Sequence, residues 1–128
     1  MTSKRLVYVI QEHYATHHHF DLRLEREGVL KSWAIPKEPP ENKGEKRLAI
    51  EVPAHPLGYE KFEGKIPEGQ YGAGFVETWD SGTYELIEET AAKLLINIHG
   101  KKLKGIYHLI KFSAKEGKPN KNWLLFRS

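Results

Sequence analysis

From His19 to Glu25 the chain alternates polar and apolar residues without a break: His19, Asp21, Arg23 and Glu25 take one parity and Phe20, Leu22 and Leu24 the other. Successive side chains of a strand point to opposite faces, so this period of two predicts a half-buried strand over 19–25. Alternating or β-rich runs at about 5–11, 28–35, 47–52, 75–79, 82–87, 93–98, 104–112 and 122–127 predict further strands. Turn signals separate them: Glu27-Gly28, KEPPENKGEK at 37–46, the glycine-rich stretch 64–74, Asp80-Ser81-Gly82, His99-Gly100 and KEGKPNKN at 115–122. Helix is expected only as a turn or two, around Ser3 or from Glu88 to Ala92. The pattern predicts an all-β fold, a small antiparallel β-barrel or sandwich. Residues 53–74 are the longest stretch without a strand pattern, and loops of that length in compact domains are usually functional or disordered. This one carries His55, Tyr59, prolines and glycines, the composition of a rigid, shaped loop.

Length and composition narrow the classes. A chain of 128 residues is one ordinary domain, spanning 1–128 with no second core expected. It is 39% hydrophobic and 29% charged, with no apolar run near the roughly 20 residues that span a bilayer, so a membrane role is not expected. Cysteine is absent and the segment MTSKRLVYVIQEH lacks the apolar core of a secretion signal, which points to a reducing, cytoplasmic setting. The net charge of +3 leans only weakly towards a polyanionic partner.

The polar face of the 19–25 strand is where chemistry enters. Side chains two apart on a strand stand roughly 6.5–7 Å apart, close enough for a metal to join His19 and Asp21 while Arg23 reaches a group bound to it. A short loop through Ala15 and Thr16 brings His13 to the same place. Two histidines and one carboxylate make a set for a divalent transition metal, with manganese, iron and zinc as candidates and positions left open for water or substrate. The rival reading is a merely solvated polar face. Arg23 tilts the balance towards an anion site, since a guanidinium is always charged and holds two phosphate oxygens at once. His55, in its His-Pro-Leu context, could add a proton donor or a ligand, and Lys37 and Arg47 more positive charge. Gly64 and Gly69 have the spacing that opens a phosphate loop, but Gln70 and Tyr71 stand where lysine and serine or threonine are required, so no such loop is present. Of the aromatics Trp33, Tyr59, Tyr71, Trp79 and Trp123, only Tyr59 is a site candidate; the rest read as core or cross-strand packing.

The stretches VIQEHYATHHHFDLRLE, GVLKSWAIPK, KRLAIEVPAHPLGYEKFEGKIPEGQYGAG, VETWDSGTYE, HGKKLKGIYHLIKF and NWLLF follow one another from Tyr8 to Arg127. In that order they resemble the 3'-phosphoesterase domain of bacterial DNA ligase D and its free-standing archaeal relatives. The resemblance implies a compact β-barrel with a concave active-site face and a manganese-dependent hydrolase of non-homologous end joining. Such an enzyme removes a 3'-terminal ribonucleoside by a phosphodiesterase step and converts the remaining 3'-phosphate to a hydroxyl by a phosphomonoesterase step. By motif match, His13, His19 and Asp21 would hold the metal (manganese, with zinc or cobalt also able to bind), and Arg23 and His55 would contact the scissile phosphate. Gln11, Lys37, Arg47 and Tyr59 fall on positions that support phosphate binding or one of the two steps. The implied partners are a DNA primer-template ending in a 3'-ribonucleotide or 3'-phosphate and a separately encoded ligase or end-joining complex, with the domain itself a monomer.

Two departures stand out. Pro53 stands where the ligase-linked domains usually carry a glutamate, so the site either lacks that carboxylate or has Glu51 in its place. Those domains also carry a charged N-terminal extension that contributes to activity, and its contributions are expected either to be absent here or to be partly replaced by Ser3 to Arg5. Two rival functions compete. His19, Asp21 and a distant His55 are also the shape of a non-haem iron oxygenase triad on a β-fold. The basic balance and the aromatics would equally suit a non-catalytic nucleic-acid-binding barrel.

Overall fold

The computed structural model describes residues 5–112 and 120–128. Nine strands make the fold: β1 (Leu6–Tyr14), β2 (His19–Arg26), β3 (Val29–Ile35), β4 (Lys46–Pro56), β5 (Gly64–Ile66), β6 (Gly74–Thr90), β7 (Lys93–His99), β8 (Lys104–Lys111) and β9 (Asn122–Arg127). A single 3-10 turn at Tyr59–Lys61 is the one helical piece among the described residues. The strands follow the order β1-β2-β3-β4-β9-β8-β7-β6, all antiparallel, and β6 returns to β1 to close an eight-stranded barrel. β5 stands outside the ring, paired only to the first residues of β6.

Alternation fills the barrel. Leu22, Leu24, Tyr8, Ile10, Trp33 and Ile35 point inward and pack with Tyr84, Ile96, Ile98, Tyr107, Leu109 and Leu125. Trp33 and Trp123 meet edge to face at 5.7 Å, so both belong to the core, as the sequence reading expected. Val9, Leu30 and Val76 are also buried but lie outside this cluster, on the opposite side of the strands. Val9 pairs with Arg23 and Val76 with His13, so this second apolar layer shares the face that carries the site described below.

Several predicted elements come out differently. Asp80-Ser81-Gly82 makes no turn: the runs 75–79 and 82–87 belong to the one long strand β6, with Trp79 as an extra residue opposite the step from Ile10 to Gln11. Asp80 instead turns its carboxylate inward, where it accepts from Tyr8 Oη at 2.8 Å and from the backbone N–H groups of Lys101, Lys102 and Leu103. Glu88 to Ala92 is not helical either, because Glu88, Glu89 and Thr90 pair with Leu95, Leu94 and Lys93 across a two-residue turn. The stretch 53–74 is shorter in loop than expected, since β4 runs on to Pro56 against β3 and β5 forms against β6. The expected turn at Glu27-Gly28 is present, with both residues at positive φ, the requirement of a tight hairpin loop. The helical turn expected around Ser3 and most of the 115–122 turn lie outside the described residues. No helix among the described residues is long and apolar enough to cross a membrane.

Gly74 opens β6 at φ +135°, and a Cβ there would collide with the Tyr14 carbonyl. Gly74→Ala should therefore destabilise the protein by roughly 1–3 kcal/mol, the usual cost of a strained backbone position. Chemical denaturation of the variant checks this, and an unchanged midpoint would contradict it.

Candidate active site

The antiparallel register assembles the polar face. β1 and β2 pair His13 with His19, Gln11 with Asp21 and Val9 with Arg23, and residues opposite one another share a face. His13 thus reaches the set from within a strand, by direct pairing. β3 pairs Ser32 with Arg23, which places a hydroxyl beside the guanidinium. β4 pairs Val52 with Ser32 but His55 with Leu30, three residues against two. This bulge, at Pro53 and Ala54, re-aims His55 onto the face of Arg23, a use of bulges common beside functional sites.

The ligand atoms of His13, His19 and Asp21 all lie within 4.8 Å of one another. Asp21 Oδ2 is the centre: His19 Nε2 is 3.4 Å away and His13 Nδ1 3.6 Å. Those separations are long for a hydrogen bond. They suit ligands around one ion, since donors at about 2.0–2.1 Å from a tetrahedral metal stand about 3.3–3.4 Å apart. Each imidazole also spends its other nitrogen on a backbone carbonyl: His13 Nε2 donates to Gly72 O at 2.8 Å and His19 Nδ1 to His17 O at 2.7 Å. That is how metal-binding histidines are usually oriented, and it leaves His13 Nδ1 and His19 Nε2 as the free donors. The residues present therefore fit a divalent cation.

The charges agree with this geometry. The Asp21 carboxylate, 3.4 Å away, holds His19 above the ordinary histidine value, outweighing its partial burial. Burial pushes Asp21 up, yet His19, Arg23 and His13 together bring it below the usual carboxylate range. Asp21 is thus ionised in a site from which water is largely excluded, a costly arrangement without positive partners.

Arg23, 4% exposed, is held on nearly every side. Its Nε donates to Gln11 Oε1 at 2.7 Å, and its Nη1 to Ser32 Oγ at 2.8 Å and to His55 Nδ1 at 3.0 Å. The guanidinium carbon lies 4.9 Å from the centre of the Tyr59 ring. Only Nη2 keeps N–H groups free of a hydrogen bond among the described residues, 3.5 Å from Asp21 Oδ2. The two-oxygen clamp expected from sequence is therefore narrowed to one arm, because the protein itself occupies the others. Because Arg23 can only donate, His55 Nδ1 accepts and the ring's proton sits on Nε2. Burial and the neighbouring Arg23 charge lower the His55 value, which keeps the ring neutral.

Gln11 ties this group to the crossing segment through Nε2, which donates to Tyr59 O at 2.8 Å. Tyr59 lies 4.5 Å from the His55 ring and stacks on Phe62. Gln11, His13, His19, Asp21, Arg23, His55 and Tyr59 are therefore brought together. Lys37 and Arg47 are not: they share a hollow with Pro36, Lys46 and Leu48, where Arg47 donates to the Glu38 and Lys46 carbonyls. Arg47 has the parity of Ala49, a core residue, so its strand turns it away from the site face. Glu51 does not compensate for Pro53, since it pairs with Trp33 and accepts from Trp123 Nε1 on the core side. Ser3 lies outside the described residues, and Arg5 is exposed. His18 stacks on Tyr14 and pairs with Glu12, whereas His17 serves through its carbonyl. Tyr71 is exposed, and Trp79 packs against the core under Lys102. His55 is bonded to Arg23 and stands outside the ligand group, so the oxygenase triad of His19, Asp21 and His55 is not assembled.

Sequence reading missed Ser32 and the carbonyls of His17 and Gly72. The signal for Ser32 was a single small hydroxyl in the apolar run VLKSWAI; its partner Arg23 is found only through cross-strand register.

Comparisons with known proteins converge on one group. Residues 11–111 match the family described as DNA Ligase D 3'-phosphoesterase domain. The chain is 49% identical over 108 residues to the Multifunctional non-homologous end joining protein LigD of Mycobacterium bovis, covering 81% of this chain and 14% of the relative. It is 43% identical over 131 residues to the protein of the same name from Mycolicibacterium smegmatis, covering 94% of this chain and 16% of that one. The Pseudomonas aeruginosa protein of that name is 42% identical over 128 residues, covering 96% of this chain and 15% of its own length. The chain thus spans about one-seventh of the relatives it matches.

Proposed function

This chain belongs to the DNA ligase D 3'-phosphoesterase domain family, and from that premise we propose that it is a manganese-dependent hydrolase of DNA 3' ends. It would act in non-homologous end joining, removing a terminal ribonucleoside and then the 3'-phosphate to leave a hydroxyl for sealing. The single observation that supports this most is the convergence of His13, His19 and Arg23 on the one Asp21 oxygen, with His55 held beside Arg23. A metal on His13, His19 and Asp21 would supply charge neutralisation at the phosphoryl oxygens and a polarised water. Arg23 Nη2 presents a fixed positive charge to the non-bridging oxygens, most useful as charge builds on phosphorus. His55, neutral and protonated on Nε2, donates to a phosphate oxygen or to the departing one. The Tyr59 ring lies tilted against His55 and beside the Arg23 guanidinium, packing on both. No residue here has to form a covalent intermediate.

The test offers primer-template duplexes ending in a 3'-ribonucleotide or a 3'-phosphate to the purified protein across manganese, zinc, cobalt and ferrous iron. Appearance of a 3'-hydroxyl supports the reading. Binding without turnover under every metal would favour a binding barrel, and oxygen consumption with ferrous iron an oxygenase.

Metal loading should depend on pH with a definite sign. Binding needs neutral His19, whose value Asp21 raises above 6.5. Affinity should be full above that raised value and fall as pH drops through it, whereas Asp21, shifted downwards, stays ionised in this window. The metal-free fold runs the other way: the His19–Asp21 pairing contributes stability below 6.5 that is lost as pH rises through the raised value. The rise in melting temperature on adding manganese should therefore shrink as pH falls from 8 to 6. A rise independent of pH would remove His19 from the ligand set.

A further inference from the structure

We propose that Ser32 is a positioning residue of this site, fixing the Arg23 guanidinium so that Nη2 alone faces the substrate phosphate; this deepens the phosphoesterase reading and rests on it. Ser32 is 1% exposed and sits on β3 directly opposite Arg23. Its hydroxyl has a set direction: Oγ donates to Leu30 O at 3.0 Å, so its proton is committed and its lone pairs are left to accept. Arg23 Nη1 donates into them at 2.8 Å.

A guanidinium is planar, so two anchors on different nitrogens fix its plane and its rotation about Cδ–Nε. Gln11 supplies the first anchor on Nε and Ser32 the second on Nη1. The other Nη1 proton is thereby aimed at His55 Nδ1, 3.0 Å away, and it selects the tautomer with the proton on Nε2. One line of bonds, Leu30 O to Ser32 Oγ to Arg23 to His55, sets both groups that would meet the phosphate. Ser32 touches neither the proposed metal ligands nor the crossing segment, so its loss should leave metal binding alone.

The test compares Ser32→Ala and Ser32→Thr with wild type as full chains loaded with manganese. Ser32→Ala should lower single-turnover hydrolysis of the 3'-phosphate end by on the order of 10- to 100-fold, the worth of a hydrogen bond to a charged group. Its manganese affinity should stay near wild type, and Ser32→Thr, which keeps the hydroxyl, should recover most of the rate. Nitrogen NMR of the Arg23 side chain gives a readout independent of turnover: the Nη protons should exchange slowly in wild type and Ser32→Thr and rapidly in Ser32→Ala. Wild-type turnover by the alanine variant, no recovery by threonine, or a parallel loss of manganese affinity would each overturn the proposal. If wild type hydrolyses neither end under any metal, the functional reading falls, and the exchange rates still decide the role of Ser32: equal exchange in all three proteins overturns it.

Discussion

Asp21→Ala should abolish hydrolysis of both the 3'-ribonucleotide and the 3'-phosphate end and remove manganese binding with it. Asp21 Oδ2 is the one carboxylate oxygen of the ligand group and the point to which His13 Nδ1, His19 Nε2 and Arg23 Nη2 all turn, at 3.4–3.6 Å. Without it two imidazoles and no negative charge remain, facing a guanidinium that repels a cation. The loss should exceed the roughly 10–100-fold typical of residues that only orient ligands, reaching on the order of 10³-fold or more. The barrel should survive, because Asp21 lies on the side of β2 away from Leu22 and Leu24. Metal titration, single-turnover assays and a melting curve check the three statements. Near-normal manganese-dependent cleavage by this variant would end the assignment of the site.

Arg23→Lys should be the next most damaging change, costing about 10²- to 10³-fold in single-turnover rate while leaving manganese affinity within a few-fold. The positive charge is kept, so a site that needed charge alone would tolerate it. The structure shows a different need: Gln11 Oε1, Ser32 Oγ and His55 Nδ1 each take a hydrogen bond from the guanidinium, on two of its nitrogens. A lysine ammonium is one point on a flexible stem; it cannot meet all three acceptors and present a further N–H to phosphate. Buried acceptors left unpaired add their own cost, which should appear as a lower melting temperature. Equal single-turnover rates for the two proteins would show that Arg23 acts through charge only.

The alternation of HFDLRLE was enough to read both faces of β2, since a strand's period is a local property. The clustering of His13, His19 and Asp21 followed almost as directly, although the path taken by His13 did not: it depends on which residues of β1 lie opposite His19 and Asp21, a matter of register. The same limit hid Ser32, and it hid the continuation of β4 that carries His55. Asp80-Ser81-Gly82 has the residues of a turn, but Asp80 finds Tyr8 and three backbone N–H groups within the fold, and tertiary contacts prevail over local preference. Lys37 and Arg47 were placed near the phosphate by motif match; strand parity and the carbonyls of Glu38 and Lys46 hold Arg47 elsewhere. Pro53 was read as a missing carboxylate, and it proves also to be part of the bulge that delivers His55.

The barrel closes through the β1–β6 seam, whereas β5 is attached by three pairs to β6 alone. The strip that walls the site can consequently detach without opening any barrel seam, and segments attached in this way generally open locally at a lower free energy than the whole fold. His13 spans the two, rooted in β1 and bonded to the Gly72 carbonyl of the wall. A ligand that fixes the His13 ring thus also fastens the wall, and its binding energy would be felt first in the hydrogen exchange of residues 64–73, well before it registered in the melting of the whole.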